Sequence, residues 1–111
     1  IFGSDAPVES YNPFIGIYAA LTRRKYDQPK FTTGWYPQEK ITLREIINAY
    51  TINPAISSRI DKNLGSISNG KFADLIVLSN DLHELSADEI KETTPIGTMV
   101  SGQWVWQNEE F

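Results

Sequence analysis

The feature that most limits the fold of this chain is a change of hydrophobic period near residue 60. Before it, apolar residues recur at spacings of three and four, the mark of helices with one buried face. After it, they fall into short runs and alternations bounded by Gly, Asn and Ser, the mark of strands and turns. Such a chain belongs to the α+β class, with a helical part over 1–60 and a β part over 61–111.

In the helical part, Asn12 is a good N-cap and Pro13 suits the first helical position. Phe14, Ile17, Tyr18 and Leu21 then line one face of a helix over Phe14 to Arg24. The basic trio Arg23, Arg24 and Lys25 is placed to cap its C-terminus, where cations are favoured. Lys25 to Lys40 has no period and holds Pro29, Phe31, Gly34, Trp35, Tyr36 and Pro37, so it reads as a long loop. Loops of that length are often functional or packed on something else. Thr42 and Glu45 form a capping box for a helix with Leu43, Ile46, Ile47 and Tyr50 on one face. Pro54 predicts that this helix ends near Asn53 and that a short one follows over about Ala55 to Arg59.

In the β part, Gly65 and the Ser68-Asn69-Gly70 turn precede Leu75-Ile76-Val77-Leu78, a run typical of a strand buried on both faces. Asp74 interrupts the apolar segment. Its expected role is structural, accepting backbone N–H bonds from the preceding glycine turn, with Gly65 and Gly70 as structural turn residues. Ser86 and Glu89 form a second capping box, and Ser101-Gly102-Gln103 marks a hairpin between Met99-Val100 and Trp104-Val105-Trp106. At the other end, Ile1-Phe2 running into Gly3-Ser4-Asp5 reads as the last residues of a buried strand.

Composition removes several classes of function. With 111 residues, 41% hydrophobic and 22% charged, the chain is one globular domain or part of one, not a disordered segment. A net charge of −4 and a pI near 4.9, with no basic stripe, argue against nucleic-acid binding. No cysteine is present, which excludes disulfides and thiolate chemistry. No apolar run approaches the ~20 residues that span a bilayer, and no signal peptide is visible. A cytoplasmic location is therefore expected, although the true N-terminus is not visible in a sequence without an initiator Met.

Among chemical constellations, Ser4, Asp5 and His83 do not make a triad, because the Gly-x-Ser-x-Gly elbow is missing. His83, the only histidine, reads as a hydrogen-bonded loop residue. Asp61, Asp81, Asp88 and Glu109-Glu110 read as solvated loops. Trp35 and Tyr36 either line a substrate cleft or pack as ordinary aromatics. Asp5 before Ala6-Pro7 is by itself a common turn opener.

Three stretches together resemble the amidohydrolase superfamily, most closely its third amidohydrolase branch. They are Gly3-Ser4-Asp5-Ala6-Pro7, the run from Ile41 to Ala55, and Gly65-Ser66-Ile67 through Gly70-Lys71-Phe72-Ala73-Asp74-Leu75-Ile76-Val77-Leu78. The resemblance implies a fragment: 1–60 as the last strand and outer helices of a (β/α)8 barrel, and 61–111 as the C-terminal part of a small composite β-sandwich. It also implies that Asp5, at the end of strand eight, is both metal ligand and catalytic acid/base. A divalent metal, zinc in this reading, lowers the pKa of water it holds towards ~7. The substrate would be a non-peptide amide or cyclic amide. The histidines that complete such a site cannot lie here, so this piece is expected to be inactive alone, to bind no metal tightly and to pair with an N-terminal part of its parent. Helix faces and sheet edges without that part predict self-association. The alternative is a non-catalytic structural or interaction module.

Overall fold

In the computed structural model, residues 1–29, 32–109 and 111 are described. Phe31 and Glu110, read above as loop residues, lie outside them. Helix α1 spans Pro13–Thr22. Its start follows from the sequence: the Asn12 side chain accepts the Phe14 N–H at 2.9 Å, and Pro13 occupies a position whose N–H would have no partner. Its end is closed by the backbone. Arg23 turns left-handed at φ 59°, and its own N–H closes onto the Ala19 carbonyl at 2.7 Å.

A 3₁₀ turn, Pro37–Glu39, leads to α2, Leu43–Tyr50. The capping box is complete: Thr42 accepts the Glu45 N–H at 3.3 Å, and the Glu45 carboxylate accepts the Thr42 N–H at 2.8 Å and hydroxyl at 2.6 Å. The helix stops at Tyr50, earlier than Pro54 predicts. Thr51, at φ −121° and ψ −86°, makes the break, and α3, Ile52–Ser57, begins before the proline. Pro54 then sits in the first turn of α3, where no intrahelical bond is lost.

The core joins both parts of the chain. Phe14, Ile17, Ile46 and Ile90 are buried together, with Leu21, Leu43, Leu78, Leu82 and Leu85 packed on them. Ile90 belongs to α4, Ala87–Ile90, which starts at the Ser86–Glu89 capping box. The faces of α1 and α2 are thus not left without a partner, as the fragment reading expects. Apolar surface is covered by whatever apolar segment the chain can bring to it, here residues 78–90.

Residues 61–74 form turns, so the strands start later than the change of period suggests. β1 (Leu75–Leu78), β2 (Pro95–Val100) and β3 (Gln103–Gln107) make one antiparallel sheet in the order β1-β2-β3. A two-residue turn at Ser101-Gly102, both at positive φ, joins β2 to β3. Leu75–Leu78 is not buried on both faces. It is an edge strand, and Ile76 is 50% exposed. Nor is Ile1-Phe2 a strand: both are exposed, and Phe2 is held by its N–H to the Ala49 carbonyl at 3.0 Å and an edge contact with Tyr50 at 5.5 Å. A small α+β unit with a three-stranded antiparallel sheet is compatible with a piece of a larger protein.

Candidate functional site

The Phe2 anchor carries the chain into Gly3, Ser4 and the turn at Asp5. Asp5 adopts φ 51°, a left-handed conformation that Asp tolerates, and its carbonyl accepts the Val8 N–H at 2.9 Å. The Asp5 residue is exposed. A carboxylate oxygen of this kind suits a hard divalent cation. Among the described residues, however, no group of three or more His, Cys, Asp or Glu could hold a metal. Asp5 therefore fits one place in a ligand set, and the described part of the chain brings no set to it. His83 is exposed in a loop, its N–H donating to Asp81 Oδ1 at 2.8 Å.

Beside this turn lies an open cleft of about 900 Å³. Gly3, Ser4, Arg23, Tyr26, Trp35 and Tyr50 are among the residues that line it. The Tyr50 hydroxyl rests against Gly16 of α1, where any Cβ would overlap it, and burial raises its pKa above the usual phenol value, so it stays a neutral donor. Trp35 is pinned to the end of α1 from both sides. Its N–H donates to the Arg23 carbonyl at 2.8 Å, and Arg23 Nε donates to the Trp35 carbonyl at 3.2 Å. The guanidinium carbon stands 5.9 Å from the indole centroid. Tyr36 meets Trp35 edge-on at 4.8 Å but does not line the cleft. Neither Arg23 nor Tyr50 was legible as a cleft residue: one reads as a helix cap and the other as part of an apolar face.

Other acidic residues have local roles. Asp74 accepts the Ser101 N–H at 2.7 Å, so its partner is the β2–β3 turn and not the preceding glycine turn. The donor is far along the chain because the antiparallel sheet brings that turn beside the start of β1. Gly65 and Gly70 hold φ of 89° and 86°. Asp61 is half-buried in a turn and Asp81 is exposed. Asp88 is not a solvated loop residue. It lies in α4, half-buried, 3.8 Å from Arg24 and 3.9 Å from Lys91. Both cations also flank the ring of buried Tyr18, at 5.4 and 5.0 Å.

The sequence model of the amidohydrolase family matches residues 1–106. The chain belongs to that family. This amidohydrolase chain is 36% identical over 105 residues to the protein LONG AFTER FAR-RED 3 of Arabidopsis thaliana, covering 94% of this chain and 17% of the relative. It is 33% identical over 99 residues to the N-substituted formamide deformylase of Arthrobacter pascens, covering 89% of this chain and 18% of the relative. The amidohydrolase chain thus spans less than a fifth of the length of these relatives. No solved structure matches it significantly. No helix among the described residues is long and apolar enough to cross a membrane.

Proposed function

We propose that this chain is the C-terminal part of a metal-dependent amidohydrolase that cleaves a non-peptide C–N bond, an amide or cyclic amide. The observation that carries the reading is the family match, which runs from the Gly3-Ser4-Asp5 turn to the last strand. One relative is named as a deformylase of N-substituted formamides, which are non-peptide amides. In this reading, residues 1–60 complete a (β/α)8 barrel, and residues 61–111 complete a composite β-sandwich with an N-terminal part of the same parent, in the cytoplasm. The piece alone is inactive and holds no metal tightly.

Asp5 is the proposed catalytic residue. Its carboxylate would supply one oxygen ligand to a divalent metal, zinc by preference, which when bound would supply Lewis-acid activation of water and of the scissile carbonyl. Asp5 also takes a proton at a carboxylate oxygen and returns it to the leaving nitrogen, acting as base and then acid. The exposed carboxylate beside an open cleft supports this role.

In the longer protein, Asp5→Asn should lower kcat by ~10²–10⁴-fold, the usual weight of a positioned proton carrier, with the fold intact by circular dichroism. Near-normal turnover would remove Asp5 from the mechanism. Calorimetry of the 111-residue chain with zinc should find no sub-micromolar site. A tight stoichiometric site would show that the piece holds metal without its parent.

A further inference from the structure

We propose that the cleft beside α1 binds a small organic monocarboxylate, with Arg23 holding the anionic end and the Trp35 ring supporting its planar or apolar body. The volume of about 900 Å³ lies within the range of small-molecule sites. What selects the ligand class is the unequal use of two adjacent arginines. Arg24 is committed to Asp88 at 3.8 Å and to the face of Tyr18. Arg23 spends Nε on the Trp35 carbonyl, and among the described residues no carboxylate lies within ion-pair distance of it. Arginine keeps its charge at any working pH, so this guanidinium brings to the cleft wall a cation without a direct ion pair among the described residues.

The pair is also pre-organised. The Nε bond fixes the guanidinium plane, and a fixed fork of N–H donors matches the two oxygens of a carboxylate. Trp35 is 73% exposed yet held by its own N–H to the Arg23 carbonyl and by the Tyr36 edge. Gly34 permits this arrangement, since a Cβ there would collide with the Thr22 carbonyl at the end of α1. A large aromatic held rigid with most of its surface in water is a platform for an apolar group.

Glu9, Arg24, Lys25 and Asp27 line the same cleft. Inorganic phosphate offers negative charge to Arg23 but no planar or apolar body to the Trp35 ring, so it is the weaker ligand. Gly3 and Ser4 border the same cleft immediately before Asp5. The identity of the bound molecule as the substrate rests on the hydrolase reading above. In that case the substrate is an amide bearing a free carboxylate, held by Arg23 away from the reacting bond.

The test is an NMR titration of the 111-residue chain with benzoate, with its neutral isostere benzamide, and with inorganic phosphate. Benzoate should bind saturably and roughly tenfold more tightly than benzamide, the weight of one charge-assisted contact. Phosphate should bind more weakly than benzoate. Arg23→Gln should remove the preference for benzoate, Arg23→Lys should keep part of it, and Trp35→Ala should weaken both aromatic ligands alike. Equal binding of benzoate and benzamide by the unaltered chain would overturn the proposal without recourse to any variant. So would phosphate binding as tight as benzoate, or a preference that survives Arg23→Gln. No turnover is involved, so failure here leaves the hydrolase reading standing, and near-normal turnover in Asp5→Asn leaves the carboxylate site standing.

Discussion

Gly65 and Gly70 share a positive φ but not their surroundings. A Cβ on Gly65 would sit 2.7 Å from Ala55 Cβ and 3.0 Å from Ile52 Cα, against α3, whereas one on Gly70 would meet nothing. Gly70→Ala should therefore cost only the left-handed strain, about 1–2 kcal/mol. Gly65→Ala adds a steric clash with α3 and should cost roughly 2–5 kcal/mol. Denaturant melts of the two variants measure the difference, and equal losses would mean that the turn swings clear of α3 without cost. The need for glycine at both positions is readable from turn chemistry. The distinction between them is not, because it depends on a helix ten residues earlier folding back against residue 65. Asp74 teaches the same thing: its use as a backbone acceptor follows from its chemistry, while Ser101 as the donor follows from the sheet.

At the scale of elements, signals contained within one turn of chain were reliable. Asn12, Thr42 and Ser86 each cap the helix their sequence context predicts, because an N-cap needs only residues up to three positions away. The capping box of α2 has a pH signature. The Thr42 hydroxyl and N–H bonds to the Glu45 carboxylate lower the Glu45 pKa below its usual value. A group with a depressed folded pKa stabilises the fold above its unfolded pKa and loses that contribution as pH falls through the folded pKa. The gap in melting temperature between the unaltered chain and Glu45→Ala should thus be present at neutral pH and shrink below about pH 4. A gap that is constant with pH would mean that the carboxylate charge has no part in the cap. Thr42→Ala should cost ~1 kcal/mol across the same range. Where an element's limits were misjudged, at Asn53 and in residues 61–74, the deciding contacts came from outside the element. The break at Thr51 lets α3 reach Gly65, and the turns after residue 60 are tied by bonds such as the Phe72 N–H to the Asn63 carbonyl at 2.9 Å.

For the whole molecule, the balance between covered and open apolar surface decides how the chain behaves in solution. The helix faces are covered by residues 78–90, but the sheet is not closed over: Ile76, Val100, Trp104, Val105, Trp106 and Phe111 are all exposed. Burying such side chains is worth roughly 25 cal/mol per Å², a driving force that contact between copies would draw on. The bulges in both strand pairings twist the edges and disfavour simple strand addition. Association should therefore proceed through the sheet's exposed apolar residues. Light scattering at micromolar concentration should show species larger than a monomer, and replacing Trp106 and Val105 with Thr should shift them towards monomer. A monodisperse monomer with one cooperative melt would show that this surface is tolerated in water.

Taken alone, the sequence determined the α+β class, the three caps, the β2–β3 hairpin and, through three short stretches in fixed order, membership of the amidohydrolase family. These depend on hydrogen bonds and periodicities that close within a few residues, or on a pattern shared with relatives. Only the tertiary structure decided that α4 covers the faces of α1 and α2, that Ser101 is the donor to Asp74, and that Arg23 and Trp35 clasp each other across twelve residues beside the turn of Asp5. Those contacts join segments distant in sequence. Their partners are chosen by which surfaces pack together once the local elements exist, and no spacing along the chain records that choice.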